Sequence, residues 1–357
     1  MKILLLAGEE SGMIYARGLR ARLSAHDVRG YEDYGFMTGD LAVFGFAAVL
    51  RRLPFFLRVK RTMERAIDEW RPDVVCTIDY PGMNLKLAAY AKSKGVRAVH
   101  VVCPQVWAWH QGRIPKIEAA LDALCCFFPF EPSLFRSGFA TFVGHPLAKE
   151  FNVCAGSRGG GDPLVALLPG SRAGEISRIL PTLIEVAGRI KGARFAIPAA
   201  NERAHAIISQ IVARHGAESL VEVRRGGARE LLKSARCAAV ASGTATLEAA
   251  LARCPTVLVY RVGPLLAAFA RRVIKGTKYI GLANIVWERC GGKGSTPPMP
   301  ELLQENFTAE AVADILGGWL SDSASCSAAA MRLDEAVRHL ESEGDPLGII
   351  AEIVTRV

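Results

Sequence analysis

Short, almost wholly apolar runs recur along the chain, each followed by a few small or polar residues and then by an amphipathic stretch. Residues 2–6, 74–78, 97–102, 123–128 and 141–143 are such runs in the first half, and 164–168, 194–197, 237–241 and 256–260 in the second. Runs of this length bounded by turn residues read as buried strands. Helical spacing marks residues 13–23 and 85–93, and the chain from Thr308 onward is mostly helical in pattern. Strands alternating with helices predict an α/β fold with parallel sheets covered on both faces.

The alternation is interrupted once, by "FNVCAGSRGGGDP" at 151–163, where Gly159, Gly160 and Gly161 follow one another. A linker there divides the 357 residues into a first domain, 1–150, and a second, 164–330. That division suits a chain too long for one core. Two doubly wound, Rossmann-like domains would leave a cleft at the carboxyl ends of their strands, where open α/β sheets bind ligands. The loops that follow strands are therefore the place to look for chemistry.

Composition narrows the classes. Half the residues are apolar and 22% are charged, a globular balance. No window of about 18 apolar residues suggests a membrane-spanning helix, and "MKILLLAGEESG" reads as a strand rather than a secretory signal. Nine scattered cysteines without a CxxC pair indicate reduced thiols rather than a disulfide framework. The formal charge of +9 fits a phosphate-bearing ligand or an anionic membrane surface. No nucleic-acid-binding motif accompanies it, so nucleic acid is not expected as a partner.

Five loops after strands stand out. "AGEESG" combines small residues with Glu9, though a carboxylate at a helix start also suits the macrodipole alone. "IDYPGMN" places Asp79 at the end of an apolar strand, where it serves either as a general base or as a turn cap. "CPQVWAWHQGR" brings Trp107 and Trp109 beside His110 and Arg113, either as a sugar or acyl wall or as domain packing. "LLPGSRAGEI" runs strand, Gly170, Ser171, Arg172, helix, an order suited to phosphate. "ASGTATLE" offers Ser242, Gly243 and Thr244 at a helix start, with Glu248 about one turn on, within reach of a ribose diol. An ordinary Ser or Thr cap is the competing reading.

Absences matter as well. There is no Walker A loop, since "GGKGST" at 291–296 lacks the spacing, and no GxGxxG or GxSxG. Without an Asp-x-Asp or a metal-spaced cluster, neither a metal nor another cofactor is expected. A diphosphate would be neutralised by helix termini and arginine. Two stretches, 44–61 and 263–281, mix Phe and Leu with Arg and Lys, as membrane-interface helices do, or as helices with one core face and one basic face.

In the order in which they occur, "AGEESG", "LAVFGF", "IDYPGMNLKLA", "PQVWAWHQGRIPKI", "FFPFEP", "FVGHPLA", "LLPGSRAGEI", "SGTATLEAALARCPTVLVYRV" and "PELLQE" resemble the motifs of the lipid-A-disaccharide synthases. The resemblance runs from Met1 to about Thr308. It implies a GT-B fold and an inverting, metal-free glycosyltransferase on the cytoplasmic face of the Gram-negative inner membrane. The implied reaction moves 2,3-diacylglucosamine from UDP-2,3-diacylglucosamine to the 6-hydroxyl of 2,3-diacylglucosamine 1-phosphate (lipid X). On this pattern Asp79 is the base, with Glu9 in support. Gly170, Ser171, Arg172, Ser242, Gly243 and Thr244 hold the diphosphate, and Glu248 the ribose. Asn284 matches an Asn that contacts UDP, and Ser11, Gly12, Asn84, Trp107, Trp109 and Arg113 fall on the acceptor and acyl side. Residues 331–357 form a helical segment that packs back on the first domain, and an oligomer is compatible with the pattern.

The chain also departs from the family. Met13 and Gly82 stand where Asp is frequent, and Cys103 and His110 where Ser and Arg are usual. The stretch between Arg22 and Leu41 is shorter, and 285–300 is longer. Two rival readings share the same residues: a GT-B enzyme with another acceptor, and a non-catalytic binder of UDP-sugars. Asp79 argues against the second.

Overall fold

A computed structural model describes residues 1–37, 41, 52–151, 162–264, 267, 272, 276–292 and 296–356. Most of the 151–163 linker, residues 44–51, many of 263–281 and part of "GGKGST" lie outside the described residues. The chain forms two units, Met1–Pro146 with Leu340–Val357, and Leu147–His339.

The first unit holds six parallel strands: β1 (Lys2–Ala7), β2 (Asp27–Arg29), β3 (Val74–Ile78), β4 (Arg97–Val101), β5 (Ala123–Cys126) and β6 (Ala140–Phe142). Their order is β2-β1-β3-β4-β5-β6. Side chains alternate across a strand, and β1 shows the result. Ile3 and Leu5 enter one core with Tyr15 and Leu19 of helix Glu10–Arg22. Leu4 and Leu6 enter the other, with Val59 and Met63 of helix Leu53–Trp70 and Leu87 of helix Pro81–Ser93. Each such side chain contributes roughly 1.5–3 kcal/mol when fully buried.

The chain returns to this unit at its far end. Helix Pro346–Thr355 seats Ile350, Ile353 and Val354 in the core of β1 and β3. Asp345 caps it through Gly348 N at 3.0 Å and pairs with Arg22 Nε at 2.6 Å.

The second unit repeats the plan with β7 (Leu164–Leu168), β8 (Arg194–Ala199), β9 (Val221–Arg225), β10 (Cys237–Ala241), β11 (Thr256–Tyr260) and β12 (Glu301–Leu303). The order β12-β11-β10-β7-β8-β9 is that of a dinucleotide-binding sheet. Helix Ala173–Arg189 buries Ile176, Ile179, Leu180 and Leu183 against it. Each sheet has one place where the winding direction changes, between β1 and β3 in the first unit and between β7 and β10 in the second.

Three strands carry no apolar run, and all lie at sheet edges: β2 (DVR), β9 (VEVRR) and β12 (ELL). Two helices begin earlier than their apolar spacing indicates, at Glu10 and Pro81. Among the described residues no helix is long and apolar enough to cross a membrane.

Candidate functional site

The loops at the two winding reversals carry most of the sequence-derived candidates. In the first unit Ala7 pairs with Ile78, so Glu9 and Asp79 lie just past level strand ends. Gly8 permits the approach, because a Cβ there would run into the Tyr80 ring. Glu9 is the N-cap of helix Glu10–Arg22, which has no side-chain cap, so its first amides face this edge. Burial, and then the charge of Glu9, push the Tyr80 phenol above its ordinary pKa.

Asp79 is half-buried, and its Oδ1 accepts a hydrogen bond from Tyr80 N at 2.8 Å. Burial raises its pKa, against the lowering effect of that amide. A carboxylate held above the usual range at a strand end is suited to take a proton from a hydroxyl.

The acceptor-side candidates divide. Asn84 is fully buried; its Nδ2 faces the carbonyl oxygens of Leu6, Ile78 and Asp79 at 3.2, 3.1 and 2.8 Å. Its amide is turned inward, between the strand ends. Gly12 is also buried, beside the end of β3, where a Cβ would lie 3.5 Å from the Ile78 carbonyl oxygen, an ordinary contact. Ser11 falls in the first turn of the same helix, and its side chain lies outside what the structure describes.

The two tryptophans do not form one wall. Trp107 is only 2% exposed and donates from Nε1 to Glu131 Oε1 at 3.1 Å. Trp109 is 42% exposed and meets the His110 ring edge-on at 4.8 Å. Arg113 is half-buried in the short turn Gln111–Arg113.

Glu131 belongs to a closed cluster with Cys103 and Cys126, their polar atoms within 4.8 Å of one another. Burial pushes the Glu131 carboxyl up to about 8, while Phe128 N and Trp107 Nε1 hold its two oxygens. These groups satisfy one another and tie the Trp107 segment to the end of β5.

In the second unit β7 and β10 lie side by side, and the loops after them are the two predicted phosphate loops. Gly170 adopts φ 99°, where a Cβ would also collide with Glu175. Ser171 and Arg172 are exposed, and Arg172 Nη1 pairs with Glu175 Oε1 at 3.0 Å. Arg172 is the N-cap of helix Ala173–Arg189, again without a side-chain cap.

Gly243 is the N-cap of helix Thr244–Leu251 and stands at φ 148°, a region that favours glycine. No side chain caps this helix, so Ser242 and Thr244 are not acting as its cap. Other helices of the unit are capped by Asn201, Thr308 and Asp322. Helices Ala228–Ser234 and Leu282–Arg289 also start without a side-chain cap; the two at the winding reversal are the ones that follow adjacent central strands, where their amide dipoles face the strand edge, as in anion sites.

Glu248 is a turn into the helix, its side chain 16% exposed, and Arg229 Nε binds its Oε1 at 2.9 Å. Arg229 also pairs with Glu150 at 2.5 Å. Sequence reading missed Arg229, because no local motif marks it. Asn284 lies inside the unit, not on the loop surface. It is fully buried, with Nδ2 donating to Met299 O and Glu301 Oε1, both at 2.8 Å, and Oδ1 accepting from Met299 N at 2.9 Å. Both N–H groups and one lone pair of its amide are thus engaged within the protein, and the side chain is turned away from solvent. Glu301, of "PELLQE", anchors this corner by accepting also from Ile280 N and Gly281 N, both at 3.0 Å.

Paired parallel sheets with their open helix termini at the winding reversals define an α/β protein of the GT-B class. Solved structures share the fold. The Methanocaldococcus jannaschii UDP-GlcNAc 2-epimerase in complex with UDP-GlcNAc and UDP matches with TM-score 0.59 and 12% identity over 99% of both chains. A glycotransferase of kitacinnamycin matches with TM-score 0.61 and 15% identity, over 99% of this chain and 98% of that one.

Sequence relatives are nearer. A Burkholderia mallei lipid-A-disaccharide synthase is 36% identical over 354 residues, covering 91% of this chain and 89% of its own. That of Azotobacter vinelandii is 34% identical over 377 residues, covering 96% and 97%. The family described as lipid-A-disaccharide synthetase matches residues 3–344. The chain belongs to the lipid-A-disaccharide synthase family, and it is a glycosyltransferase of lipid A biosynthesis.

Proposed function

We propose that the protein joins UDP-2,3-diacylglucosamine to 2,3-diacylglucosamine 1-phosphate, forming the β-1,6-linked disaccharide 1-phosphate and UDP. The acceptor 6-hydroxyl attacks the donor anomeric carbon, the bond to the diphosphate oxygen breaks, and the configuration inverts. Asp79 takes the hydroxyl proton, and Glu9 supports the acceptor or the charge that develops in transfer. Gly170, Ser171, Arg172, Ser242, Gly243 and Thr244 receive the departing UDP, whose charge meets helix N-termini and a guanidinium. Glu248 binds the ribose, with Arg229 holding its carboxylate in place. Trp109 and Arg113 lie on the acceptor side.

One observation carries this reading. In each sheet the winding reversal brings together the loops that the reaction needs: a half-buried carboxylate with a raised pKa in the first unit, and two uncapped helix starts with an arginine in the second.

Acylated substrates of this kind are in keeping with work at the cytoplasmic face of the inner membrane. On helix Leu53–Trp70, Leu53 and Leu57 are 47% and 45% exposed, in line with Arg58, Arg61 and Arg65. That mixture suits an anionic membrane surface.

The test is an assay of purified protein with the two lipid substrates, read by mass spectrometry. The disaccharide 1-phosphate is expected, with only a residual rate from Asp79→Ala, about 10²–10⁴-fold below the parent, while that variant should still bind UDP. Transfer to soluble sugars in place of the acylated acceptor, or full turnover by Asp79→Ala, would overturn the proposal.

A further inference from the structure

We infer that Asn84 and Tyr31 are positioning residues that set the orientation of Asp79; the inference rests on the reading of Asp79 as the base. The turn after β3 is unusual. Asp79 and Tyr80 stand in succession at φ 50° and 51°, and neither is a glycine. Left-handed backbone costs free energy at each such residue, and it persists only where the surroundings impose it. Pro81 adds to the constraint by keeping Tyr80 out of the helical region.

The imposing group is the Asn84 side chain. Its Nδ2 lies between the carbonyl oxygens of Leu6, Ile78 and Asp79. It therefore ties the end of β1 to the end of β3 and grips the backbone of Asp79 itself, the shortest of the three contacts at 2.8 Å. The amide can face only this way, because reversal would set its oxygen against three carbonyl oxygens. Its Oδ1 is closed by the Tyr31 hydroxyl, which donates at 2.8 Å. Tyr31 is 2% exposed and opens the turn Tyr31–Tyr34 just after β2. From the amide side, Asp79 N donates to Val101 O at 2.9 Å.

A chain of hydrogen bonds thus runs from the Tyr31 phenol through the Asn84 amide to the Asp79 carbonyl, and the carboxylate leaves the backbone at that residue. Asn84 and Tyr31 are buried, so they act on the reaction through the backbone they hold, chiefly that of Asp79. The same amide holds Leu6 O, two residues before Gly8, which keeps the Glu9 loop level with the Asp79 loop. Loss of this grip lets Asp79 relax toward ordinary backbone geometry and moves the carboxylate off its line to the acceptor hydroxyl.

The test compares Tyr31→Phe, Asn84→Asp, Asp79→Ala and the Tyr31→Phe/Asp79→Ala double variant. Tyr31→Phe removes one oxygen from a buried ring and keeps its shape. It should fold, as judged by near-UV circular dichroism, and bind UDP within about twofold of the parent. Its kcat should fall by about ten- to a hundredfold, the scale of a reacting group misplaced by roughly an ångström. The acid limb of its kcat–pH profile should also move, because the carboxyl's surroundings have changed. Asn84→Asp, which has no N–H to offer the surrounding carbonyls, should lose more. In the double variant the tyrosine change should cost nothing further. A folded Tyr31→Phe with parental kcat and an unmoved acid limb would overturn the positioning role while leaving Asp79 as base. Full turnover by Asp79→Ala would instead remove the base. A Tyr31→Phe loss that persists undiminished in the double variant would show a merely structural effect.

Discussion

Asp79 meets two opposed demands. Burial raises its folded pKa above the unfolded value. A carboxyl shifted upward binds its proton more tightly when folded, so its contribution to stability is present below the unfolded pKa and is lost as pH rises through the folded one. At neutral pH the ionised carboxylate is therefore a burden on the fold, retained because the chemistry needs a base. Asp79→Asn should lower kcat by about 10²–10⁴-fold while raising the melting temperature at pH 7. The thermal gain should shrink at pH values low enough to protonate the parent carboxyl. A melting temperature unchanged at every pH would show that the carboxylate is not desolvated as described. Arg172 behaves in the opposite way. Its pairing with Glu175 involves a guanidinium side chain 52% exposed to solvent, and such pairs add little stability. Arg172→Ala should leave the melting temperature nearly unchanged and weaken UDP binding, measured by calorimetry, by about 1.5–3 kcal/mol. Unchanged affinity would take the diphosphate away from this residue.

At the scale of elements, the helix starts at the winding reversals are kept open, and glycine makes that possible. Gly243 holds φ 148° with no atom within 4 Å of where a Cβ would stand, so the barrier to substitution is backbone strain, not crowding. Gly243→Ala should cost ~1–3 kcal/mol of stability, or escape that strain by reshaping the loop. Either way UDP affinity falls, and calorimetry with a thermal melt separates the two; parental values in both would remove the loop's geometric role. The central strands were legible in the sequence, since β7 and β10 are unbroken apolar runs, β3 is interrupted by Thr77 alone, and all three are buried on both faces. The edge strands β2, β9 and β12 were not, because an edge needs no continuous apolar face and these carry charge. The loops of the candidate site could be found from residue type and position after a strand. Which way each loop side chain points could not. Asn84, Asn284 and Trp107 turn inward to partners far away in sequence, such as Tyr31, Met299 and Glu131, and nothing local encodes that.

Over the whole molecule, the formal charge of +9 is dispersed, but one helix concentrates part of it beside exposed leucines. Each basic residue near an anionic lipid surface contributes about 1 kcal/mol. Reversing Arg58, Arg61 and Arg65 together to Glu should release the protein from vesicles rich in anionic lipid in a sedimentation assay. Activity on detergent-dispersed substrates should be retained. Binding of the triple variant equal to the parent's would send the search for a membrane face elsewhere.

The return of Leu340–Val357 to the first unit bears on how the protein is made. Synthesis runs from the first residue, so β1 and β3 leave the ribosome long before Ile350, Ile353 and Val354 exist to cover one side of them. During that interval the nascent sheet exposes an apolar face with no cover of its own, a state prone to aggregation. The second unit, by contrast, draws its core from one continuous stretch, Leu147–His339. It can close as soon as it emerges, so the unit translated first is the one completed last.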